Sequence, residues 1–102
     1  MKMTVKEILA AVHGTLLQGD EDTVVTEIST DSRKMEAGSL FLPWRGERFD
    51  GHDFAKQAVE KGAVCAITER TIIDVPSIVV KSTRKALLDL WVENYNQVLK
   101  PK

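Results

Sequence analysis

Two short segments concentrate the residues able to do chemistry. The first is Thr30-Asp31-Ser32-Arg33-Lys34, which sets two hydroxyls, one carboxylate and two cations within a single turn's length. The second is Arg45-Gly46-Glu47-Arg48-Phe49-Asp50-Gly51-His52, preceded by Trp44. Its glycines let backbone approach a ligand closely. Its arginines match the geometry of phosphate oxygens. Phe49 or Trp44 offers a flat face for a planar base. Together the segments suit an anionic, partly aromatic small molecule. The plainer assignments run beside this one: Asp31 as a turn acceptor, Trp44 as a partly buried anchor, His52 as a helix cap, both segments as solvated turns.

Other chemistries find no support. No Ser-His-Asp arrangement or metal-ligand spacing is present, and no G-x-x-x-x-G-K-[ST] phosphate loop. The lone Cys65 sits in an apolar run and reads as an inert core residue. The chain has 102 residues, with 43% hydrophobic and 28% charged residues and a formal net charge of −1. That composition fits one soluble globular domain over residues 1–102 and argues against a duplex nucleic-acid binder. No run is long enough to cross a membrane, no signal peptide is read at the N-terminus, and a reducing cytoplasm is the expected setting.

The elements that must hold these segments follow from the apolar periodicity. Thr4 and Glu7 form a capping box for a helix with an Ile8, Leu9 and Val12 stripe and a stop at Gly14. Thr15–Gln18 and Thr23–Ile28 read as strands. Ser29–Ala37 reads as a loop, and Ser39–Leu42 as a strand ended by Pro43. A helix starting at His52 or Asp53 runs to about Lys61, with Phe54, Ala55, Ala58 and Val59 inward and Gly62 as its stop. Ala63–Ile67 and Ile78–Val80 are continuous apolar runs, as in strands covered on both faces. Ser82 or Thr83 opens a long helix to about Leu99, with a buried stripe of Leu87, Leu90, Trp91, Tyr95 and Val98. Alternating buried strands and helices predict an α/β fold, a small mixed or parallel sheet flanked by helices. The two segments then fall after strand carboxyl ends, where open α/β sheets place ligands.

In this order, with Gly38-Ser39-Leu40-Phe41 between them, the segments resemble the N-terminal domain of the Mur ligases of peptidoglycan precursor synthesis. The resemblance extends through Ala55–Ile67 and Ser82-Thr83-Arg84-Lys85-Ala86. The string Gly46-Glu47-Arg48-Phe49-Asp50-Gly51-His52-Asp53-Phe54 is most similar to the MurF branch, whereas the MurE branch shares the Asp-Ser-Arg loop. The resemblance implies a domain that holds the UDP end of a UDP-N-acetylmuramoyl peptide. Its contacts would fall on Thr30, Ser32, Glu47, Arg48 and Phe49. Asp31, Arg33, Arg45 and Asp50 would support the loops. It also implies that ATP and Mg²⁺ belong to a central domain following Lys102, and that this chain holds no cofactor or catalytic residue and has no ligase activity alone. The cognate partners would be the substrate and the remaining ligase domains. A MurE-type domain and a non-catalytic docking or fusion module remain the alternatives.

Overall fold

The computed structural model describes residues 2–43, 54–72 and 74–99, with side chains as far as Asn94. The N-terminal capping box forms as its spacing requires. Thr4 Oγ1 accepts from Glu7 N at 3.2 Å, and Glu7 Oε1 accepts from Thr4 N at 3.0 Å. Two orphan amides are thereby satisfied at the start of α1, Val5–Val12. The left-handed residue that ends α1 is His13, φ 56°, and not Gly14. Gly14 answers a different need: a side-chain carbon there would collide with Ile78 of a neighbouring strand.

The short strand β1, Met3–Thr4, pairs antiparallel with β3, Val24–Val25. The main sheet contains β2 (Thr15–Leu17), β4 (Glu27–Ser29), β5 (Ser39–Phe41), β6 (Ala63–Thr68) and β7 (Ser77–Val79). Its order is β2-β7-β6-β5-β4. The β4-β5, β5-β6 and β6-β7 pairs are parallel, and β2 joins β7 antiparallel. The fold is therefore the expected small mixed α/β sheet flanked by helices. One expected strand divides. The β-branched run Thr23–Ile28 breaks at Thr26, whose N–H donates to Gly38 O at 3.0 Å, and its halves pair in different sheets.

Alternation along the central strands feeds two cores. Leu40, Leu42, Cys65, Ile67 and Ile78 pack with Val5, Ile8 and Val12 of α1 and with Ala86 and Leu90 of α3, Thr83–Leu99. Phe41 and Ala66 face the other way, onto Ala55 and Ala58 of α2, Ala55–Glu60, and Ala63 joins them where the β5–β6 register shifts by one residue. Small residues on both sides of that second layer seat α2 close to the sheet. Gly62, at φ +123°, then turns the chain against the backbone of Glu36 and Ala37.

Two expected stripes shift. Trp91 is 75% exposed; Leu90 of the expected stripe is buried and Leu87 partly so, and Thr83 and Ala86 complete the buried face in place of Trp91. The i, i+3, i+4 stripe is set by a threonine and an alanine that a hydrophobicity reading underweights. Phe54 is likewise exposed at the start of α2 and lines a cavity rather than the core. The expected helix start at His52 or Asp53 lies outside the described residues, as do the side chains of Tyr95 and Val98. Cys65 is 2% exposed, and burial pushes its thiol up to about 12. It is a core residue, not a nucleophile.

Candidate functional site

Parallel pairing of β4, β5, β6 and β7 brings their carboxyl ends to one edge of the sheet. Just past those ends the chain must leave the ladder, and the last backbone bonds hold the exits together. Leu42 N donates to Ser29 O at 2.9 Å, and Val80 N to Thr68 O at 2.8 Å. Two cavities open on this edge. The larger, about 570 Å³, is lined by Thr30, Asp31, Ser32, Arg33, Phe41, Phe54 and Gln57. The smaller, about 280 Å³, is lined by Thr30, Leu42, Pro43, Glu69, Ser82, Thr83, Arg84 and Leu87. Thr30 belongs to both walls, so the two form neighbouring parts of one cleft.

The first chemical segment is a tightly hydrogen-bonded turn. Asp31 Oδ1 accepts from Arg33 N at 2.9 Å and Arg33 Nε at 3.0 Å, and Asp31 Oδ2 accepts from Arg33 Nη2 at 3.1 Å. The Arg33 side chain and then its backbone N–H stabilise the carboxylate, holding Asp31 well below its ordinary 3.8, at about 2. The same pair raises the Arg33 guanidinium. Asp31 N donates to Ser29 Oγ at 3.2 Å, tying the turn back to the end of β4. Ser32 is 8% exposed and its Oγ donates to Gln57 Oε1 of α2 at 2.9 Å. That bond crosses from the loop to the helix and joins the two polar walls of the larger cavity.

The smaller cavity is closed by the opening of α3. Ser82 Oγ accepts from Lys85 N at 3.2 Å. Glu69, just past β6, supplies the second cap from outside the helix. Its Oε2 accepts from Thr83 N at 2.8 Å and from Thr83 Oγ1 at 2.9 Å. A carboxylate at a helix N-terminus is favourable for the helix.

Thr30, Asp31, Ser32 and Arg33 thus lie together on the cleft. Arg45, Glu47, Arg48, Phe49 and Asp50, with Trp44 and His52, lie outside the described residues. Gln57 and Glu69 escaped the sequence reading. Gln57 has the composition of any exposed helical residue, and Glu69 lies 14 residues from the backbone it caps.

A mixed sheet with helices on both faces, bearing a polar cleft at the carboxyl ends of its parallel strands, defines an open α/β domain, with the cleft where such sheets place ligands. The model of the Mur ligase family, catalytic domain, matches residues 24–100, and the chain belongs to that family. It is 45% identical over 83 residues to the UDP-N-acetylmuramoyl-L-alanyl-D-glutamate–2,6-diaminopimelate ligase of Bacillus licheniformis, covering 80% of this chain and 17% of the relative. It is 42% identical over 95 residues to the UDP-N-acetylmuramoyl-tripeptide–D-alanyl-D-alanine ligase of Bacillus subtilis, covering 88% and 21%. A solved structure of the D-alanyl-D-alanyl ligase from Acinetobacter baumannii superposes with a TM-score of 0.88 at 36% identity, covering 100% of this chain and 23% of that one. The chain therefore spans about a fifth of the length of the relatives it matches.

Proposed function

We propose that this domain binds the UDP end of a UDP-N-acetylmuramoyl peptide in a MurF-type ligase, which adds D-alanyl-D-alanine during peptidoglycan precursor synthesis in the cytoplasm. The observation that carries this reading is the cleft shared through Thr30, with the hydroxyls of Thr30 and Ser32 and the Arg33 cation on one wall and the Phe54 ring beside them. A nucleoside diphosphate has matching parts: a flat base and ribose hydroxyls for the aromatic and polar walls, and oxygens for cations and amides. Thr30, Ser32, Glu47, Arg48 and Phe49 are the proposed contacts, with Asp31, Arg33, Arg45 and Asp50 as their supports.

The sequence has no G-x-x-x-x-G-K-[ST] phosphate loop, which supports placing ATP and Mg²⁺, and with them activation of the substrate carboxylate, in other domains of the ligase; on this reading the chain alone has no ligase activity. The 45% identity to a diaminopimelate-adding ligase favours a second reading, the equivalent domain of a MurE-type enzyme.

Calorimetric titration of the chain with UDP-N-acetylmuramoyl tripeptide, UDP and ATP tests the binding role. The tripeptide and UDP are expected to bind saturably and compete with each other, and ATP is expected not to compete. Failure of both uridine compounds to bind would overturn the reading. Acceptor assays in the full-length ligase, with D-alanyl-D-alanine against diaminopimelate, separate the MurF from the MurE assignment.

A further inference from the structure

A serine hydroxyl carries one proton and can donate only once. Ser32 spends that proton on Gln57 Oε1 at 2.9 Å. Toward the cavity, whose wall both residues form, Ser32 Oγ is then an acceptor. Gln57 uses its carbonyl on Ser32, and its amide nitrogen still carries two protons. The pair thus sets a fixed acceptor beside a donor. Such a pair complements a ligand edge that has an N–H donor next to a carbonyl. It does not suit an ionised phosphate, which can only accept, at Ser32 Oγ. Phe54, 37% exposed, lines the same cavity and gives it flat apolar surface for a ring, above the buried edge of Phe41.

From this directionality we infer that Gln57 is a specificity-determining residue. It orients the Ser32 hydroxyl so that the larger cavity reads the imide edge of uracil, with the base N3–H donating to Ser32 Oγ and the C4 carbonyl accepting from the Gln57 amide. The inference rests on the UDP reading above. It also divides the cleft: the base occupies the larger cavity, and the diphosphate does not contact the Ser32 hydroxyl. With the ribose held in place, cytosine presents its donor and acceptor in the opposite order, so each contact meets its like.

UDP and CDP titrated into the chain and into Gln57→Leu test this. The unmodified chain is expected to bind UDP more tightly than CDP by at least about fivefold, the scale of one or two mismatched hydrogen bonds. In Gln57→Leu the two affinities are expected to converge, mainly through weaker UDP binding. A merely structural bond between loop and helix would weaken both ligands alike and leave their ratio unchanged, and that result would overturn the inference. Should the variant fold poorly, the side-chain amide signals of Gln57 in the unmodified chain give the answer. They are expected to shift with UDP much more than with CDP, and equal or absent shifts would overturn the inference. If the unmodified chain binds no UDP at all, the UDP reading itself fails, and this inference with it.

Discussion

Glu69→Ala removes a cap that the helix α3 receives from outside itself. Two hydrogen bonds disappear, from Thr83 N at 2.8 Å and from Thr83 Oγ1 at 2.9 Å. Thr83 is only 5% exposed, so water replaces the lost carboxylate poorly. Hydrogen bonds to a charged group contribute about 1.5–3 kcal/mol each, whereas loss of an ordinary N-cap costs about 0.5–2 kcal/mol. Both bonds end on one oxygen, and Ser82 still caps Lys85 N, so the full sum does not apply. A loss of about 2–3 kcal/mol is expected for Glu69→Ala. At about 4–8 °C per kcal/mol for a domain near this size, Tm falls by roughly 10–20 °C. Glu69→Gln keeps an acceptor without the charge and is expected to cost about 1 kcal/mol. Urea and thermal unfolding of the three proteins, followed by far-UV circular dichroism, measure the series. A change below about 0.5 kcal/mol for Glu69→Ala would refute the argument that the carboxylate anchors α3 to the end of β6.

Three further outcomes follow from burial and charge. Leu90→Ala, at a residue 1% exposed, is expected to cost about 2–5 kcal/mol, while Trp91→Ala, at a residue 75% exposed, stays within about 0.5 kcal/mol in urea unfolding. Asp31 is held at about 2 against an ordinary 3.8, so its pairing with Arg33 stabilises the loop above about pH 4 and is lost as pH falls toward 2. The Asp31 carboxyl carbon shift is expected to titrate near 2 and to move toward 3.8 in Arg33→Ala; a midpoint near 4 in the unmodified chain would contradict the pairing. Cys65 is expected to resist a disulfide-exchange reagent at about pH 8 until the chain is unfolded, because its thiol stays protonated and inaccessible.

Local signals carried much of this fold into view from the sequence. The capping box at Thr4 and Glu7 is a reciprocal contact over three residues, and it forms as spaced. Apolar runs at Ala63–Ile67 and Ile78–Val80 marked strands covered on both faces, because runs of this length are short for a buried helix and usual for a buried strand. The break at Thr26 was not legible. Every residue from Thr23 to Ile28 except Glu27 is β-branched, and the interruption arises from Gly38, 12 residues away in sequence. The α3 stripe was misplaced toward Trp91 because large side chains dominate a periodicity reading, while burial here follows the surface that α3 meets, α1 above all. At the cleft, the Thr30–Arg33 turn was visible as a cluster of reactive types. Its partners Gln57 and Glu69 were not, since each becomes chemical only through a contact that the tertiary fold creates.

The most direct test of the cleft as a nucleotide site is a map of backbone and side-chain amide shifts as UDP is added to the chain. The expected shifts cluster on Thr30, Ser32, Arg33, Phe54 and Gln57, with smaller ones at Glu69 and Thr83 across the shared wall. Shifts centred instead on His13, Lys81 and Lys85, which line a separate cavity beside α1 and α3, would contradict the assignment, as would none at saturating UDP.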